Sequence, residues 1–412
     1  MKNTILKTSS LFILTSVCIL LSSCLFNTDK KATVTVQLGP AARSAAPQDG
    51  ICFTAELAAA SITDQKIYSY TTQKWVSGTG GSFSVDVEEG KSTTIQLELS
   101  IGDFTFYRGI SDEFVVQSGE NVVTLDMIKK IDYTAASDLD EISKVIRSAV
   151  EEETTYIVLT GDIALDTYED IGVPVCFIAG GNYSIYRGSG DYYIIADGAS
   201  VGFAGSEYNT LTLNGGSLSS TTAFLDACYS GGEIRIYDGV VIKDCINSSN
   251  TTPSVISAVS YGVIYMEGGT ITGCTGGPYG MIYVEDGTFY MSGGTITGNT
   301  FTGMYSTDLC YAGVILATNN SAVNMTGGSI TSNTYSGAAS PISNLLILDY
   351  ASVSISDSVI SGQTVNIYGN KGTSSSSITY TVTQNGTSTA TTGAFSITDT
   401  IGTSDVITIE AK

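Results

Sequence analysis

Nine residues, Met266-Glu-Gly-Gly-Thr-Ile-Thr-Gly-Cys274, return as Met291-Ser-Gly-Gly-Thr-Ile-Thr-Gly-Asn299 and again as Met325-Thr-Gly-Gly-Ser-Ile-Thr-Ser-Asn333. Weaker copies start at Leu213, Tyr237 and Ile355, so the six starts lie 24, 29, 25, 34 and 30 residues apart. Periods of this size belong to stacked repeats, in which one unit cannot bury its apolar face without its neighbours. Five places into the copies stand Leu218, Ile242, Ile271, Ile296, Ile330 and Ile360, an aliphatic residue every time. Two places before the starts stand Leu211, Ile264, Phe289, Val323 and Val353, whereas the copy at Tyr237 has Arg235 there. Alternation turns Ile234 and Ile236 inward in that copy and predicts a one-residue bulge.

Each repeat holds three short apolar-alternating runs: Gly280 to Val284, Gly287 to Met291, and Thr295 to Thr297 are one set. Three strands per turn, each above its copy in the previous turn, make a parallel β-helix with rungs ~4.8 Å apart. The glycine pair permits the sharp corner between strands. The last nonamer position, Thr221, Cys245, Cys274, Asn299, Asn333 and Gln363, is expected to form a ladder, with the Asn amides passing hydrogen bonds along the stack. Cys245 and Cys274 are expected there as free thiols acting as small apolar fillers.

The nonamer and its uneven intervals resemble the repeats of right-handed parallel β-helix proteins of the pectate-lyase-like superfamily. They are also similar to the GG[AT]I and FxxN repeats of bacterial polymorphic outer-membrane proteins and adhesins. The likeness covers roughly residues 135–375; it is specific for architecture and carries little about activity. It implies a right-handed coil, and it puts an N-terminal cap where the one amphipathic helix falls. In that helix Leu139, Ile142, Val145, Ile146, Ala149 and Val150 share an apolar face. Asp138 with Glu141 reads as N-cap and capping box, with Ser137 the alternative cap.

Nearly all the length variation falls between the ladder position and the next strand, which throws the loops 246–254, 275–279, 300–312 and 334–344 to one edge of the stack. They carry Tyr279, Phe301, Tyr305, Tyr311 and Tyr335, the candidate ligand-binding residues. Variable loops on a rigid scaffold are where binding usually resides.

Catalysis finds less support. The chain has no histidine, which excludes Ser-His-Asp and Cys-His nucleophile systems. Asp238 and Glu267 share a nonamer position in adjacent coils, near the carboxylate separation of retaining glycosidases. Stacking yields that separation without any catalytic purpose, so no catalytic residue, metal ligand or cofactor is assigned. The basic residue and acidic calcium ligands implied by a lyase of this superfamily find little to map onto, since Arg187, Arg235, Lys243 and Lys371 are the only basic residues of the coils.

Ahead of the repeats, residues 32–130 alternate in short runs such as Phe83 to Val87 and Ile95 to Leu99, about seven strands in all, which suits a small antiparallel sandwich. It is similar to immunoglobulin-like or transthyretin-like modules. The N-terminus carries Lys2 and Lys7, then an apolar run from Leu11 to Leu21 too short to be a lasting membrane span. Leu21-Ser22-Ser23-Cys24 looks like a bacterial lipobox, and this implies a diacylglycerol on Cys24 as the sole membrane attachment. The remaining cysteines are too irregular for a disulfide scaffold or a zinc site. A net charge of −22 argues against nucleic acid as a partner.

The expected organisation is all-β: signal peptide 1–23, lipidated linker 24–31, β-sandwich 32–130, capping helix 135–153, right-handed parallel β-helix 154–375 and a strand cap 376–412. The expected function is a lipid-anchored envelope protein, at the outer membrane or cell surface, whose loop-lined edge binds a host protein or glycan. A polysaccharide lyase or glycoside hydrolase, and a purely structural coat, stay open as alternatives. Cys24→Ala is expected to block lipid attachment and leave the precursor unprocessed. Palmitate labelling that survives the change overturns the lipobox reading.

Overall fold

The computed structural model describes residues 30–38, 50–63, 65–77, 82–188, 190, 193–217, 219–229, 231–247, 255–301, 313–335, 343–356, 364–369, 379–392, 395–400 and 406–411. Cys24, Leu218, Tyr305, Tyr311, Ile360 and Gln363 lie outside them.

From Thr155 the chain winds into a right-handed parallel β-helix. The coil that opens at Val263 is representative, with strands Val263–Met266, Thr270–Thr272, Thr275–Gly276 and Ile282–Glu285 on four successive faces. The expectation was three strands per coil. The added strand on the third face is only two residues long, too short to alternate visibly, and recurs in five coils. Inward positions stack like on like: Phe177, Phe203, Ile236, Met266, Met291 and Met325 on the first face, and Ile185, Leu213, Ile242, Ile271, Ile296 and Ile330 on the second.

This register corrects the two earliest repeat copies. Leu213 pairs with Ile242 on the second face, so the Leu213 copy is one face out of step, and Leu211 lies on the second face beside Val240. Ile236, not Tyr237, stands level with Met266, and the strand Glu233–Ile236 runs without a bulge. The extra residue sits in the corner instead, since Ile236 to Ile242 is six steps and Met266 to Ile271 is five. In the later coils that corner needs both glycines. Gly269 and Gly294 have φ of +73° and +78°, while a side chain on Gly293 would collide with the Glu267 carbonyl one rung below.

The ladder after the second face forms in the described residues. Asn299 is fully buried; its Oδ1 accepts from the Cys274 N–H at 3.0 Å, and its Nδ2 donates to the Ile271 carbonyl at 3.1 Å. Asn333 repeats this one coil on, accepting from the Asn299 N–H at 3.1 Å and donating to the Ile296 carbonyl at 3.0 Å. Each amide thus satisfies a corner donor and a corner acceptor, in the case of Asn299 a pair that is buried. Cys245 and Cys274 occupy the preceding rungs as buried free thiols. Thr221 is exposed and stays out of the ladder.

The helix Leu139–Ser148 covers the N-terminal end. Asp138 Oδ1 accepts from the Glu141 N–H at 2.9 Å, and the Glu141 carboxylate reaches back to the Ser137 N–H at 2.7 Å rather than to that of Asp138. Leu139, Ile142, Val145 and Ile146 pack onto the coil interior. Ala149 is the C-cap and Val150 is exposed, so the last two residues of the expected apolar face fall past the helix. At the far end Val406–Ala411 and Phe395–Thr400 pair antiparallel with the last coil strands.

The sandwich pairs a three-stranded sheet with a larger antiparallel one around Phe53, Trp75, Phe83 and Phe106. One pair departs from antiparallel order: Lys31–Leu38 runs parallel to Asn121–Leu125. Nor is the sandwich a detached spacer, because its core continues onto the outer first face of the early coils through Val158, Cys176, Ile178 and Ala204. The Cys52 N–H donates to the Gly180 carbonyl at 2.7 Å, and Asn209 Nδ2 donates to the Cys52 carbonyl at 2.6 Å. The strand Val175–Ala179 is accordingly buried on both faces.

Phe301 belongs to the solenoid core at 0 % exposure. Phe301→Ala is expected to cost about 3–5 kcal/mol in denaturant unfolding, with hydrogen-exchange protection lost in the adjoining coils and kept in the sandwich. An unchanged unfolding midpoint would contradict the inward position.

Candidate functional site

The outer first face carries one column that runs the length of the stack: Tyr156, Cys176, Gly202, Arg235, Tyr265, Tyr290, Asn324 and Ser354. The sandwich covers its first part. Phe104 packs edge-on against Tyr156 and Tyr237, with ring centroids 5.8 and 5.3 Å away. Burial pushes the Tyr237 hydroxyl up to about 12. A side chain at position 202 would crowd Cys176 and Tyr237, so the glycine there keeps this contact close.

Where the sandwich ends, the column becomes a stack of planar groups. The Arg235 guanidinium lies 4.0 Å from the Tyr265 ring centroid, and the Tyr265 and Tyr290 rings stack 5.0 Å apart, only 7° from parallel. Parallel in-register strands impose this, because identical positions repeat once per rung. Two carboxylates hold the guanidinium. Glu233 Oε2 accepts from Arg235 Nε and Nη2 at 3.1 and 2.9 Å, and Glu267 Oε1 accepts from Nη1 at 3.1 Å. Burial, the largest single influence, lowers the Arg235 pKa, but the Glu233 carboxylate together with the Tyr237 and Tyr265 hydroxyls outweighs it and the value is raised. Tyr265 is raised too, by burial first and by Glu233 second.

Beyond Tyr290 the column drops to the short side chains of Asn324 and Ser354. The result is a groove of about 260 Å³ bounded by Arg235, Tyr265, Glu267, Tyr290, Ser292, Asn324 and Thr326. Tyr290 is 40 % exposed, and Ser292 and Thr326 are exposed beside it. The arrangement offers a flat apolar surface rimmed by hydroxyl and amide groups, a combination suited to binding a ring with polar edges.

The sequence candidates fall elsewhere. Tyr279 is half-buried, edge-on to Tyr283 at 5.2 Å, and packs with Leu316 and Leu348 against the fourth face. Phe301 points into the core, so it is corrected from a ligand contact to a packing residue. Tyr335 lies in the strand Thr334–Tyr335, paired with Thr300–Phe301. Tyr305 and Tyr311, like Cys24, lie outside the described residues. Tyr279 and Phe301, the two of the five whose side chains are described, are therefore not gathered into one surface.

The carboxylate pair also dissolves. Asp238 stands under Gly268, not Glu267, and Glu267 is engaged by Arg235. The acid that burial raises most plainly in the coils is Asp226, on the fourth face, bonded by Ser257 Oγ at 2.6 Å. No group of three or more Asp, Glu or Cys side chains among the described residues is placed to share a metal ion. The residues that sequence reasoning missed are Tyr265 and Tyr290. Their signal was present, since each directly precedes the first Met of a nonamer, an outward position by alternation.

No protein-family profile matches the chain, and no curated protein or solved structure is similar enough to it to count as a match.

Arg235→Ala removes one cation–π contact and two half-buried ion pairs, and is expected to destabilise the protein by about 1–2 kcal/mol. A double-mutant cycle with Tyr265→Ala is expected to show about 0.5–1 kcal/mol of coupling. Additive losses would mean that the stack contributes nothing beyond each residue's own packing.

Proposed function

We propose that this protein is a lipid-anchored component of a bacterial cell envelope whose β-helix binds glycan in the groove beside its sandwich. The observation that carries the binding reading is the Tyr265–Tyr290 stack, whose outer ring faces an open, polar-rimmed slot. Sugar rings present apolar C–H faces and hydroxyl edges, and a tyrosine face with nearby hydroxyls and amides complements both. The envelope part rests on the basic n-region, the short apolar run and Cys24 in its lipobox setting.

Binding is favoured over bond cleavage for a physical reason. A general acid or nucleophile must be available to the substrate, and Glu267 is committed to Arg235 at 3.1 Å. The nearby Asp238 is a corner residue one position out of register with it, level with Gly268. The proposed surface also differs from the loop edge expected from sequence, because Phe301 is spent on the core and Tyr279 on the fourth face.

The test is a glycan array probed with the full-length protein in detergent, followed by affinity measurement on each hit. Tyr290→Ala is expected to weaken binding about tenfold, which is ~1.4 kcal/mol, without altering the unfolding midpoint by more than a small amount. Wild-type affinity in Tyr290→Ala, for every glycan bound, would remove this groove as the site.

A further inference from the structure

We propose that the groove selects an uncharged sugar ring and discriminates against uronates. The inference rests on the glycan reading above and names the chemical class that reading leaves open.

Geometry sets the shape of the ligand. The stacked column Arg235, Tyr265, Tyr290 advances by one planar group per rung and then stops. At the next two rungs Asn324 and Ser354 take the position. Both are much shorter than tyrosine, so the outer part of the Tyr290 ring has one face stacked on Tyr265 and the other turned to the slot. Rungs lie ~4.8 Å apart, so the space above Asn324 accepts one further flat group in the same sequence of planes. A pyranose laid on Tyr290 fills it, with the Asn324 amide below and the Ser292 and Thr326 hydroxyls at its edge.

Charge sets the class. Arg235 is the one basic residue bounding the groove, and each of its three nitrogens is bonded to a carboxylate, Glu233 on Nε and Nη2 and Glu267 on Nη1, with the Tyr265 ring on one face. Recognition of a sugar carboxylate calls for a guanidinium fork or ammonium able to turn to it. Here a uronate would approach two carboxylates against one already-paired cation, on a chain of net charge −22. Like charges brought together raise the cost of the wrong ligand, which is how a site rejects one partner while accepting another. A neutral ring meets none of this and keeps the stacking and the hydrogen bonds.

The experiment compares neutral polymers (amylose, a β-1,4-mannan and laminarin) with polygalacturonate and alginate, using the full-length protein in detergent at two salt concentrations. Wild type, Asn324→Tyr and Glu267→Gln are measured side by side. Asn324→Tyr extends the ring stack by one rung into the slot; it is expected to weaken neutral-glycan binding at least tenfold while the melting temperature holds. At least one neutral polymer is expected to bind ten times or more tightly than either uronate, and Glu267→Gln is expected to narrow that gap. Uronates binding as tightly as neutral polymers, through a site that Asn324→Tyr closes, overturns the charge selection and leaves the glycan reading standing. Glycan binding that Asn324→Tyr and Tyr290→Ala both leave untouched, or no binding by either class, overturns the glycan reading and this inference with it.

Discussion

Each rung of this β-helix bonds through its backbone only to the rungs directly above and below, and every other feature follows from that arrangement. Such a stack needs terminating, since its last strands offer unpaired N–H and C=O groups and an open apolar bore. At the start, the helix Leu139–Ser148 lays Leu139, Ile142 and Ile146 over Ile157, Ile163, Leu165 and Ile185. At the end, the chain reverses. Val406–Ala411 pairs antiparallel with Ser352–Ser356, and the hairpin Thr379–Gln384 to Thr387–Thr392 extends the same sheet. A strand running backwards cannot lead into another coil, so the screw stops there. The turn of that hairpin, Asn385-Gly386, has both residues at positive φ, the geometry that tight two-residue connections demand.

The same register disciplines the outside. A position that repeats once per rung places equal side chains one strand spacing apart, which suits rings and amides and penalises like charges. The outer first face obeys this in three stages. It is apolar through Val158, Cys176, Ile178 and Ala204, where the sandwich rests on it. It is planar through Arg235, Tyr265 and Tyr290, with the single cation balanced by Glu233 and Glu267. It is short and polar at Asn324 and Ser354. The groove is the boundary between the second stage and the third, so the docking of the sandwich and the siting of the groove share one outer face of the coils.

How much of this is legible in the sequence depends on how strictly a stretch repeats. The three strong nonamers fix the later coils, because Met, the glycine pair, Ile and Asn keep constant offsets, and the Asn299–Asn333 ladder follows directly from them. The early coils are misread because Leu213-Asn-Gly-Gly imitates Met266-Glu-Gly-Gly, whereas the true counterpart of Met266 two coils earlier is Phe203, followed by Ala204-Gly205-Ser206. That error hides the site. With Tyr237 taken as the start of its repeat, Arg235 falls where the other copies have an inward apolar residue, and a bulge is needed to turn Ile234 and Ile236 inward. With Ile236 as the start, Arg235 joins Tyr265 and Tyr290 on the outside. Phe301 is misjudged for a related reason: the third-face strand is two residues long, and it turns Thr300 toward the rim and Phe301 into the core. The union of sandwich and solenoid had a signal as well, since Val175-Cys-Phe-Ile-Ala179 lacks the alternation of a strand with one wet face.

The proposed binding surface, built from a column of this kind, would differ from one built from loops in what it costs to use. Loop aromatics must be ordered when a ligand arrives, at about 0.5–1.5 kcal/mol for each immobilised side chain. Tyr265 and Tyr290 are already held, by the rung register beneath them, by each other, and by Arg235 clamped between Glu233 and Glu267. Two residues beyond Arg235, the Tyr237 ring packs edge-on against Phe104 of the sandwich. The sandwich seals the apolar part of the same face through Val158, Cys176, Ile178 and Ala204. The fold thus separates what stabilises the scaffold, which lies inside the bore, from what sets the geometry of the groove, which lies on its outer wall.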